Sequence, residues 1–182
     1  MNRKSLMTLL RSFKVPIETW GTGEAKTLDH LYAEISSGEA ALTVVNGKLR
    51  RYALGITVLV HYIGDGPEKK LVEKEQVFRD GRRKTRALQG NMSIGEKMRP
   101  SEDALSAAYR AFKEELKIEE RLPLQVLRPF VKGPIPSISF PGIETLYYIH
   151  AFMAWIPPHL YKRDGYTEEQ EDKTTYFIWE VV

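Results

Sequence analysis

The chain contains no cysteine. Disulfides and thiolate metal sites are thereby excluded, and any metal must rest on oxygen or imidazole, which favours hard ions such as magnesium. No apolar run reaches the roughly 18 residues that a membrane-spanning helix needs, so no membrane partner is expected. The opening segment MNRKSLMTLLRSFKV is too short in its apolar part for a secretory leader and lacks a small-residue cleavage site. A cytoplasmic location is the expectation. A large charge of either sign is missing as well, since 27 Lys and Arg against 24 Asp and Glu leave +3. That balance admits an anionic small molecule and gives no footprint for nucleic acid. Internal repeats and low-complexity tracts are absent too.

What remains is a globular composition, 42% hydrophobic and 28% charged over 182 residues, enough for one substantial core. Leu6, Leu9, Leu10 and Phe13 recur at helical spacing, and Thr27 is placed to cap a second helix carrying Leu28, Leu31, Tyr32 and Ile35. The segment WGTGEAKT between them reads as a loop. Residues 1–40 therefore read as an N-terminal helical extension, and 41–182 as the main domain.

Strand signals dominate after residue 40. ALTVV, an Asn46-Gly47 turn and KLRRYALGITVLVHYI read as a hairpin whose second arm is apolar on both faces from Leu54 to Ile63, as in a covered central strand. Asp80-Gly81 marks a second hairpin, with Arg79, Arg82, Arg83, Lys84 and Arg86 gathered around it. LPLQVLRPF, LYYIHAFMAWI and TTYFIWEVV read as further strands. VKGPIPSISFPGIE, rich in proline and glycine, reads as a shaped loop, and DGYTEEQEDK as a polar connection. His61 and His150 fall in buried-strand patterns and read as hydrogen-bonded core residues. Phe140, Tyr147, Tyr148 and Trp155 read as core, with stacking on a ligand ring as the alternative.

One helix carries chemistry. In GEKMRPSEDALSAAYRAFKEELKI, Pro100-Ser101 is a helix opening with Ser101 as N-cap, and Glu102 and Asp103 suit the positive end of the dipole. On a wheel, Leu105, Ala108, Phe112 and Leu116 form the buried stripe. Ala107, Ala111, Glu114 and Glu115 lie on the neighbouring flank, and Arg110 sits one turn before Glu114. Side-by-side carboxylates at the edge of a core repel, so they require either full solvation or a cation.

The same stretch resembles the Nudix box, G-x5-E-x7-R-E-U-x-E-E-x-G-U with U a bulky aliphatic residue. Glu102, Arg110, Phe112, Glu114, Glu115 and Ile118 fall in its register. Gly95 stands one residue too early, Lys117 replaces the glycine near the end, and Ala111 occupies the position of a metal-ligating glutamate. The resemblance implies an α+β fold, a Nudix-type α/β/α sandwich with a mixed β-sheet flanked by helices. It implies a hydrolase that cleaves a (nucleoside) diphosphate linkage with Mg2+ or Mn2+, acting on a small nucleotide-type molecule. Its metal ligands would be Glu114 and Glu115, its catalytic residues Glu102, Arg110 and Glu115, and its phosphate-binding cations Lys84 and Arg86.

The loss at Ala111 keeps two alternatives open, a nucleotide- or phosphate-binding regulatory domain without efficient hydrolysis and a scaffold domain. Glu96, Glu144, Glu168, Glu169, Glu171 and Asp172 are the acids available to replace the missing carboxylate. A homodimer is left open.

Overall fold

A computed structural model describes residues 1–85 and 92–182. Arg86 and the Leu88-Gln89-Gly90 stretch lie outside the described residues. Among the described residues, three α-helices and a mixed sheet of ten strands make an α+β fold, and none of these helices is long and apolar enough to cross a membrane. Two compact units interleave along the chain, Met1–Gly55 with Lys97–Glu102 and Pro129–Ile149, and Ile56–Glu96 with Asp103–Arg128 and His150–Val182.

In the first unit, α1 (Arg3–Ser12) is capped by Asn2 and α2 (Leu28–Ser37) by Thr27. The Thr27 Oγ1 accepts the His30 N–H while the Thr27 N–H donates to His30 Nδ1. Strands β1 (Ala40–Val45) and β2 (Lys48–Tyr62) form the expected hairpin, and both turn residues, Asn46 and Gly47, adopt the positive φ that such a tight turn requires. Leu6, Leu10, Leu31, Leu49, Phe140 and Ile143 close a core in this unit. Phe140 is thus a core residue. Arg51 and Glu34 are both buried and paired at 2.5 Å, and Lys97 bridges Glu34 to Glu39.

The second unit holds β3 (Lys69–Phe78), β4 (Arg83–Thr85), α3 (Ala104–Leu116), β6 (Gln125–Val126), β9 (Tyr166–Glu169) and β10 (Lys173–Val181). Strand β5 (Ile94–Lys97) lies beside β2, and the main strand order is β6-β8-β2-β3-β10-β9, with β8 spanning Glu144–Trp155. The β3–β4 hairpin turns at Asp80-Gly81 as expected. His61 is buried and its Nδ1 lies 2.7 Å from Glu68, the hydrogen-bonded role read for it.

Several sequence expectations are corrected. VKGPIP is not a loop: Phe130–Pro136 forms β7, an edge strand antiparallel to β8, where prolines are tolerated because one rim needs no ladder donors and the register shifts between Lys132 and Ile135. The polar segment after residue 164 contains β9, because Tyr166 and Glu168 point inward while Thr167 and Glu169 point out. LPLQVLRPF is not one strand: it pairs at Gln125–Val126, breaks, and at Phe130 begins β7. The ends of the double-faced β2 pattern, Leu54 and Ile63, are exposed. Tyr148 and Trp155, read as core, are exposed as well. Ser101 does not cap α3. It takes a positive φ in the preceding turn, and Asp103 is the N-cap, accepting the Ser106 N–H at 2.9 Å.

Candidate carboxylate site on the third helix

Helix α3 buries a wider face than the stripe expected for it. Its buried face is Ala107, Ala108, Ala111, Phe112, Glu115 and Leu116, while Leu105, assigned to the stripe, is exposed. Three small alanines allow the helix to lie close to its neighbours, and α3 packs on β9. Position 111 is fully buried, so the methyl group standing where the box has a carboxylate belongs to the core.

Glu115 sits on that buried face at 7% exposure. The Gly95 backbone N–H donates to its Oε1 at 3.1 Å. A Cβ at Gly95 would stand 3.1 Å from the Ile56 carbonyl oxygen, so glycine lets this backbone fit between β2 and the helix. Burial pushes the Glu115 carboxyl well above the usual carboxylate range. The charges of Glu96, Glu168 and Glu73 push the same way, and the Gly95 hydrogen bond opposes them.

Glu114, the residue before it, is half-exposed and accepts from Arg110 at 3.0 Å. The same guanidinium nitrogen reaches Glu96 Oε2 at 3.3 Å. Arg110 therefore braces two carboxylates from two elements. Burial still raises the Glu96 carboxyl, against the pull of Arg110. Glu168 comes from β9, buried at 7% exposure, with Gln170 Nε2 donating to it at 2.6 Å. Glu73 of β3, opposite Phe177 of β10, adds a fourth nearby carboxylate. Glu73, Glu96, Glu115 and Glu168 are thus gathered from four separate segments.

Glu102 occupies the turn before α3, belongs to the first unit and accepts the Arg99 N–H at 2.8 Å. Glu144 also belongs to the first unit, where Lys48 and Arg50 hold its two oxygens. Glu169, Glu171 and Asp172 are exposed. Lys84 is half-buried on β4 opposite Gln76. Glu73 escaped the sequence reading because KKLVEKEQVF alternates charge along its length, and only strand pairing shows which carboxylate turns inward.

The donor set is all oxygen, the chemistry that suits a hard divalent ion. Among the described residues, no group of three acidic or histidine side chains is gathered closely enough to hold a metal ion by itself. Two carboxylates completed by ligand oxygens are the arrangement magnesium commonly accepts.

No family model and no curated protein matches the chain. Among solved structures it is similar to the Escherichia coli dihydroneopterin triphosphate pyrophosphohydrolase, at 20% identity over 71% of this chain and 79% of that one, with a TM-score of 0.42. A Caenorhabditis elegans Ap4A hydrolase follows at 13% identity, 70% and 79% coverage and a TM-score of 0.38. The Nudix domain of Shewanella oneidensis NrtR, solved with ADP ribose, follows at 9% identity, 70% and 71% coverage and a TM-score of 0.40. These likenesses concern the fold alone.

Proposed function

We propose that the protein is a divalent-metal-assisted hydrolase of a (nucleoside) diphosphate linkage, its substrate a small nucleotide-type molecule. One observation carries this reading: Glu115 is buried among Glu96, Glu168 and Glu73, where carboxylates repel unless a proton or a cation intervenes. Glu114 and Glu115 would hold Mg2+ or Mn2+, with Glu168 the inward-facing downstream acid that supplements them. When bound, the ion supplies Lewis acidity and a template for phosphate oxygens. Arg110 holds Glu114 and Glu96 in position. The assignment of Glu102 as a supporting acid rests on the box register.

The complete burial of Ala111 favours a second reading, a phosphate-binding domain without efficient turnover. A core methyl group there leaves no vacancy for the missing ligand. A panel of nucleotide sugars, dinucleotides and nucleoside triphosphates separates the two. The hydrolase reading expects magnesium-dependent product from at least one compound, abolished by Glu115→Gln and by Glu114→Gln. The binding reading expects a thermal shift with nucleotide and no product. Product formation that persists in both variants would contradict the assigned site.

A further inference from the structure

Four strands of the second unit contribute one residue each to a single cross-strand row. Lys84 of β4 stands opposite Gln76 of β3, Gln76 opposite Thr175 of β10, and Thr175 opposite Glu168 of β9. Residues directly opposite in antiparallel strands project from one face. At ~4.8 Å between strands, the row is about 14 Å long. It lies on the face that α3 covers, since α3 packs on β9 and Glu168 is in electrostatic reach of Glu115.

The middle of the row is polar and buried. Gln76 is 6% exposed and Thr175 2% exposed, and among the described residues the Thr175 Oγ1 has no hydrogen-bond partner. Valine has the same shape, fits a strand at least as well and leaves no hydroxyl unpaired, so packing alone does not explain threonine here. The hydroxyl shares its face with the carboxylates around Glu115. Beside the Glu168 carboxylate at one end, the row offers a hydroxyl, an amide and an ammonium, and none of its four residues carries a ring on which a base could stack.

We infer that Thr175 and Gln76 are specificity-determining residues that hydrogen-bond a neutral hydroxyl- or amide-bearing group of the ligand whose phosphates reach the Glu115 site. Lys84 marks the far end of this strip. The inference rests on the phosphate reading above and deepens it, since it names the part of the ligand that the sheet recognises. A site built to pair a polar group discriminates through that pairing, because a ligand lacking the group leaves buried polar atoms unmatched.

The test is calorimetric titration of inorganic pyrophosphate and of UDP-glucose, each with Mn2+, into the wild type, Thr175→Val and Gln76→Met. Melting of each ligand-free protein is recorded alongside. Thr175→Val is expected to melt no lower than the wild type and to bind pyrophosphate within about twofold, because no phosphate contact is removed. It is expected to bind UDP-glucose about tenfold more weakly, the loss of one hydrogen bond. Gln76→Met is expected to show the same split. UDP-glucose binding unchanged in both variants overturns the inference, as does a wild type that binds neither probe. If Thr175→Val melts markedly lower and binds normally, a buried water satisfies the hydroxyl and the strip recognises nothing. If UDP-glucose binding falls in the variants while pyrophosphate binds to none of the proteins, the strip stands and the metal-phosphate reading fails.

Discussion

The Gly95 N–H and the Glu115 carboxylate meet at 3.1 Å across twenty residues of sequence, tying the β5 backbone to the buried face of α3. The glycine is needed for its missing Cβ, which would press on the Ile56 carbonyl oxygen. Gly95→Ala should therefore cost about 1–3 kcal/mol in urea unfolding, the usual scale for overpacking. A neutral result would mean that β5 moves freely away from β2.

Stability in metal-free buffer should depend on the protonation of Glu115. Its carboxyl is raised in the folded state, so folding holds that proton more tightly than the unfolded chain does. The resulting stability is complete below the ordinary carboxylate value and is lost as pH climbs through the raised one. Glu115→Gln keeps an oxygen for the Gly95 N–H and cannot ionise. In the presence of a chelator it should melt above the wild type at mildly alkaline pH, with the gap closing toward pH 4. A gap that widens in acid would reverse the assigned sign.

Restoring the carboxylate of the box should not simply repair the site. Ala111 is fully buried, so Ala111→Glu places a larger and ionisable side chain in filled space, at a cost of about 3 kcal/mol or more without metal. Chemical denaturation with and without Mg2+ reads this directly. Recovery of most of the loss on adding Mg2+ would show that the core can open into a complete ligand set. A loss indifferent to Mg2+ is the expected outcome.

The α+β class, the first two helices with the Thr27 cap and the Asn46-Gly47 and Asp80-Gly81 hairpins were legible in the sequence, because caps and turns are local signals, whereas Glu115 was read on the flank of the buried stripe and lies within the buried face. The strand through VKGPIP was not, because edge position, which makes proline tolerable, is a property of the whole sheet. Nor was β9: its inward pair, Tyr166 and Glu168, places a carboxylate where alternation leads one to look for an apolar residue. Glu168 could be named among several acids but not singled out, and the row from Lys84 to Glu168 exists only once four strands are in register.

The first unit offers an independent check on its own packing. Arg51 and Glu34 are buried together, with Lys97 and Lys26 also reaching Glu34. Burial disfavours the Glu34 charge, and the Lys97 and Arg51 partners outweigh it, so this carboxyl is lowered. Arg51→Met should cost about 3–5 kcal/mol by thermal or urea unfolding, because it leaves a buried charge short of its closest partner. Adding Glu34→Leu to Arg51→Met should return part of that loss, and a double variant less stable than the single one would contradict the pairing.

The claim that joins these findings is that the carboxylates around Glu115 receive a divalent cation together with a diphosphate. Titration of Mn2+ in the presence of pyrophosphate, followed by calorimetry on the wild type and on Glu115→Gln, tests it most directly. The account predicts saturable binding to the wild type and at least about tenfold weaker binding to Glu115→Gln, even though that variant melts higher without metal. Equal Mn2+ affinity in the two proteins, or none in the wild type, would contradict it.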